Sequence, residues 1–148
     1  MRFVFRRGRP GHGAVRAGAY IAAVDADAPV FRCFLGDRPP RFASDAERMC
    51  AELFEFYGLR WAYEPTTFPL RWDDDGRVIE AVTPDFHLVD LDLYLEITTM
   101  RQAHVTRKAR KLRTLVERYP EVRVKLFVRR DLEQLAARHG RTLGTAAA

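Results

Sequence analysis

The sequence predicts a mixed α/β domain in which a mixed β-sheet is flanked by helices. Three observations point there. The chain has 148 residues, 47% hydrophobic and 11% aromatic, which suits one domain with its own core. From residue 44 onward its periodicities read in the order α-β-β-β-α-β-α, with no internal repeat. A sheet covered by helices is the layer arrangement that order favours.

The first 43 residues carry the weakest pattern. RRGRPGHG, at 6–13, is rich in Gly, Pro and Arg and reads as an N-terminal arm. AYIAAV and PVFRCFLG read as two short strands split by DADAP, a possible hairpin, and DRPPRFA as an extended linker. From Ser44 the signals sharpen. SDAE is a capping box with Ser44 as N-cap and Glu47 three residues on, and Gly58 ends the helix it opens. LRWAYEPTTFPLRW and RVIEAVTPDFHLVD read as strands joined by the turn DDDG, followed by the strand LDLYLEIT. A helix from His104 to Tyr119 stops at Pro120. In VRVKLFV, Val122, Val124, Leu126 and Val128 share a face, and Asp131 caps a last helix ending before Gly140. The expected organisation is an arm over 1–43, a core over 44–140 and a disordered tail over 141–148.

Composition excludes several classes. No stretch approaches a membrane span, and the basic start lacks the apolar segment of a secretory signal. Cys33 and Cys50 lack metal spacing and make no disulfide framework, so a reduced cytoplasmic setting is expected. His12, His87, His104 and His139 form no zinc pattern. There is no phosphate-binding glycine loop, and no Ser or Cys has a His/Asp arrangement suited to nucleophilic catalysis. The formal charge of +5 hides a sharp division. Residues 1–43 hold eight Lys/Arg against three Asp/Glu, 44–100 four against thirteen, and 101–148 thirteen against four. An acidic middle beside a basic end suits a divalent-cation site next to a phosphate-binding surface, although two solvated faces give the same totals.

Three carboxylates fall on faces expected to be buried. Asp85 follows Pro84, and Glu96 lies eleven residues on, beside Asp85 if the two strands pair. At ~100° per residue, Cys50, Phe54 and Tyr57 mark the apolar stripe of the first helix, with Glu47 about 20° from Phe54. Converging carboxylates repel one another, and Mg²⁺ or Mn²⁺ relieves that repulsion. Each also has a plain role open to it: Glu47 in the capping box, Asp85 in a turn, Glu96 paired with an Arg of the basic helix. In that helix Val105, Ala109, Leu112, Leu115, Val116 and Tyr119 form the apolar arc. Lys108 falls within it, either with a counter-ion or snorkelling along the core, while Arg107, Lys111 and Arg118 lie on the outer face.

TPDFHLVDLDLYLEIT resembles the signature of the PD-(D/E)xK nucleases, with Pro84-Asp85 and Glu96-Ile97-Thr98 as its two elements. It is also similar to small bacterial domains reading Glu-[Val/Ile/Leu]-Thr-Thr-x-[Lys/Arg]-Gln before a basic helix. The resemblance covers about residues 44–135 and implies a restriction-endonuclease-like core that cleaves DNA with Mg²⁺ or Mn²⁺. It implies Asp85 and Glu96 as metal ligands, the Ile97 carbonyl as a further one, and Glu47 completing the shell directly or through water. Thr98 departs from it, standing where the family usually has lysine. Lys108, reaching in from the next helix, or Gln102, orienting the water, would replace that lysine. The basic face (Arg107, Arg110, Lys111 and Arg113) would track sugar-phosphate backbone with little sequence preference. A homodimer is one way for so small a nuclease to cut two strands.

Two other functions stay open. A catalytically lapsed version of the fold would bind nucleic acid through the basic helix without cleaving it, and Thr98 is the feature that favours this. An interaction module would use the acidic and basic faces to self-associate or to dock another protein. His87 shares a strand face with Asp85 and reads as a packing residue or a lining of the site. Trp61, Tyr63 and Phe68 read as core aromatics rather than a base-stacking platform.

Overall fold

The computed structural model describes residues 31–99 and 102–140. The RRGRPGHG arm, the AYIAAV strand and the 141–148 tail lie outside the described residues. The architecture is mixed α/β: α1 (Asp45–Phe56), β1 (Trp61–Tyr63), β2 (Phe68–Trp72), β3 (Val78–Val82), β4 (Phe86–Leu88), β5 (Leu93–Thr98), α2 (Gln102–Arg118), β6 (Val124–Val128) and α3 (Arg129–Arg138). A four-stranded sheet runs β1-β4-β5-β6, antiparallel except for the parallel β5–β6 pair that α2 connects. Strands β2 and β3 form a separate antiparallel hairpin.

Both long strands expected on either side of DDDG therefore break in two. The first breaks at Glu64, whose φ of 45° is left-handed and costly for a residue with a Cβ. Its N–H donates to the Asp85 carbonyl at 2.8 Å, so the chain leaves the sheet beside the residue of interest. The second breaks at Thr83-Pro84, where proline cannot donate to a ladder. Between the breaks the hairpin closes on Gly76 at φ 79°, a backbone that glycine adopts without strain.

The two sheet faces carry different cores. On one, Phe86, Leu88, Leu95 and Ile97 meet Met49, Cys50, Leu53 and Phe54 of α1 and Leu132 and Ala136 of α3. Trp61 is fully buried there, its ring edge-on to Phe31 and Phe86 and its Nε1 donating to Glu55 at 2.9 Å. Phe31, Cys33, Phe34 and Phe42, from the stretch read as hairpin and linker, pack on this same core. Phe34 bridges to Trp61 in parallel sense rather than forming a described hairpin. On the other face, Phe68 and Leu70 of the hairpin join Leu112 and Leu115 of α2 over Tyr94, Val124 and Leu126.

Three local expectations are corrected. Tyr57 is exposed beyond the helix end, so the α1 stripe is carried by Met49, Cys50, Leu53 and Phe54. Val116 is exposed because the hairpin covers only part of α2. Asp131 lies inside α3, not at its cap; its carboxylate accepts from the N–H of the N-cap residue Val128 at 3.1 Å. Among the described residues no helix is long and apolar enough to cross a membrane.

Candidate functional site

Strand pairing builds the site. Phe86 pairs with Leu95, so Asp85 stands one step further on, opposite Glu96. Phe86 and Leu95 point into the α1 side, and period-two alternation sends Asp85 and Glu96 to the α2 side. The Ile97 N–H donates to Asp85 Oδ2 at 2.6 Å, which fixes one carboxylate against the other strand. Both are buried, Asp85 at 9% and Glu96 at 5% exposure.

Lys108 arrives from α2. Its Nζ pairs with Glu96 Oε1 and donates to the Ile97 carbonyl at 3.1 Å. Its place on the inward arc of the helix is what allows this reach. The β5–α2–β6 crossover returns the start of α2 behind the end of β5, and a four-carbon stem spans the gap. Thr98, in the position where the resemblance calls for lysine, is buried at the end of β5 beside Val128.

Burial and the neighbouring Glu96 charge push the Asp85 carboxyl up to about 7, against the opposing pull of the Ile97 N–H and Lys108. Burial also raises Glu96, with Lys108 opposing it. Glu96 Oε2 is buried with no hydrogen-bond partner among the described residues. An orphaned carboxylate oxygen is costly, and a divalent cation is one partner that would satisfy it. On that observation Asp85 and Glu96 fit a hard cation, while the Ile97 carbonyl accepts from Lys108. Among the described residues, however, no three His, Cys, Asp or Glu side chains form a ready-made metal group.

Glu47 is the reason a third carboxylate is missing. Its carboxylate accepts from the Ala43 N–H at 2.9 Å, the Ser44 hydroxyl at 3.0 Å and the Tyr63 hydroxyl at 2.6 Å. The capping box forms, with the Glu47 N–H donating to Ser44 Oγ, and Glu47 reaches back to the residue before the cap. Its charge still raises the proton affinity of both Asp85 and Glu96. The partly buried Tyr63 hydroxyl is held protonated by burial and by this carboxylate.

The basic residues divide. Arg107 and Arg113 are exposed on α2. Arg110 is paired with Glu80 at 2.8 Å, and Arg71 holds the same carboxylate. Lys111, expected on the outer face, instead donates to the Ala81 carbonyl at 3.0 Å, because the hairpin folds onto that side of the helix. Gln102 opens α2, and its side chain lies outside the described residues. His87 stacks on Tyr94 at 4.2 Å and 14°, a packing contact across the β4–β5 pair.

Arg107, Lys108 and Lys111 line a cavity of about 300 Å³ together with Glu96. Ala81, Val82 and Thr83 at the end of β3 form its other wall, which residue-by-residue reading could not reveal because the hairpin's position is a tertiary feature. No protein-family model, curated protein or solved structure matches this chain.

Proposed function

We propose that the chain is a metal-dependent nuclease with a restriction-endonuclease-like core, hydrolysing phosphodiester bonds in DNA. The observation that carries this reading is the meeting of Asp85, Glu96 and Lys108, with an orphaned Glu96 oxygen between strand and helix. Mg²⁺ or Mn²⁺ held by Asp85, Glu96 and the Ile97 carbonyl would supply Lewis-acid polarisation of the phosphoryl oxygen and a more acidic water. Lys108 keeps a positive charge beside the place where phosphoryl charge grows, which is the task the missing strand lysine would have had. Glu47 stays with the α1 cap and acts on the site through its field. Arg107 and Arg113 offer charge to the flanking backbone, while Arg110 is already neutralised by Glu80.

A second reading rests on the Lys108–Glu96 pair itself. An ammonium that satisfies Glu96 competes with a cation, and a lapsed nuclease fold would keep that pair while binding DNA without cutting it. Mn²⁺ calorimetry on the wild type and on Asp85→Ala/Glu96→Ala separates the two. The expected result is binding that the double substitution abolishes, followed by Mn²⁺-dependent cleavage that Lys108→Ala reduces. DNA binding indifferent to Mn²⁺, with no cleavage, would overturn the nuclease reading in favour of the lapsed one.

A further inference from the structure

The cavity beside Glu96 has a composition that the hydrolytic centre does not explain. Lys108 is engaged by Glu96, but Arg107 and Lys111 also line the space, and among the described residues neither is paired with a carboxylate. Lys111 donates to a neutral carbonyl, and nearby Glu80 is already held by Arg71 and Arg110. Val82 and Leu112 give the cavity an apolar wall. A bare phosphate would satisfy the cations and leave that wall against water. A purely apolar ligand would desolvate two cations and offer them no anion, which is costly. A ligand with a phosphate at one end and a flat, weakly polar body at the other satisfies both.

Volume selects among such ligands. At about 300 Å³ the cavity sits at the lower end of the range of small-ligand pockets, room for one nucleotide. A base can enter it only after leaving a helical stack. We propose that the cavity receives one unpaired nucleotide next to the scissile phosphate, with its phosphate on Arg107 and Lys111 and its base against Val82 and Leu112. The substrate is then a single strand or a frayed end rather than an intact duplex. This assignment of the neighbouring nucleotide rests on the nuclease reading.

The test is calorimetry on the full chain in EDTA with deoxyadenosine 5′-monophosphate, with deoxyadenosine and inorganic phosphate as separate probes. The nucleotide is expected to bind about tenfold or more tighter than either fragment. Arg107→Met/Lys111→Met is expected to weaken it by about tenfold or more. Because Lys111 also braces the hairpin, Arg107→Met alone serves as the variant that leaves packing intact, with an expected loss of about threefold. Unchanged affinity in Arg107→Met, or a nucleotide no tighter than phosphate, overturns the proposal. Fluorescence anisotropy should show a labelled single strand binding more tightly than its duplex, and the reverse order also overturns it. Nucleotide binding without any Mn²⁺-dependent cleavage supports the pocket and removes the nuclease. Duplex cleavage without nucleotide binding does the opposite.

Discussion

Replacing Lys108 with methionine keeps its stem and removes the charge, and the structure sets the size of the effect. The Glu96 side chain is 7% exposed and has one oxygen on Lys108, while the other has no partner among the described residues. Besides Lys108, only the Asp85 backbone among the described residues favours the charged form of Glu96, and more weakly. Breaking a fully buried pair costs roughly 3–5 kcal/mol, and an exposed pair is worth roughly 0–1. The Lys108 side chain is 32% exposed, so the pair lies between these limits. We expect a loss of about 2 kcal/mol at pH 8. Without Lys108 the proton affinity of Glu96 rises further, since the ammonium is the main group opposing burial there. A carboxyl whose folded pKa exceeds its unfolded one is neutral and undemanding at low pH, and its stability contribution falls as pH rises. The loss should therefore be smaller at pH 5 than at pH 8. Urea unfolding of wild type, Lys108→Met and Lys108→Met/Glu96→Gln at both pH values measures it, and the second substitution should recover most of the stability. Equal stability of Lys108→Met and wild type at pH 8, or the same loss at both pH values, would refute the reasoning.

Two further outcomes are accessible with the same unfolding assay. Asp85, raised to about 7, holds a proton in the folded chain that the unfolded chain has already released. Wild-type stability should thus fall as pH rises from the ordinary carboxylate range through 7. Asp85→Asn should flatten that slope and stabilise the protein above pH 7 by roughly 1–4 kcal/mol, and a level wild-type profile would count against it. Tyr63→Phe removes the 2.6 Å donor to Glu47 and should cost about 1–2 kcal/mol. It should leave Mn²⁺ affinity unchanged, because Glu47 serves the cap; a marked fall in affinity would return Glu47 to the metal site.

What was legible follows from the range of the interactions. The Asp85–Glu96 juxtaposition depends only on strand alternation and a short connection, and both are visible in TPDFHLVDLDLYLEIT. The inward aim of Lys108 depends only on the helical period, and the wheel places it correctly. The Ser44–Glu47 cap is local as well. The breaks at Glu64 and Pro84 were hidden because apolar alternation continues across them; only the competition between sheet and hairpin for Phe68 and Val82 decides where pairing stops. Phe42 was hidden among prolines and arginines, yet it stacks near Trp61, Tyr63 and Phe86. Lys111 was misplaced for the same reason: which side of α2 is outer depends on where the hairpin lies.

Thr98 and Lys108 put that difference of range to use. A strand motif places its lysine by sequence spacing, but the electrostatics of a phosphoryl site depend on where the charge sits in space. A parallel crossover necessarily brings the start of its helix back over the end of the strand it leaves. In this chain β5 ends at Thr98 and α2 begins at Gln102, and Lys108 of α2 reaches Glu96. A lysine there can deliver its ammonium to Glu96 Oε1 and the Ile97 carbonyl while freeing the strand position to be a buried threonine. The exchange also couples the charge to α2, the helix that carries Arg107 and Lys111 on the cavity wall.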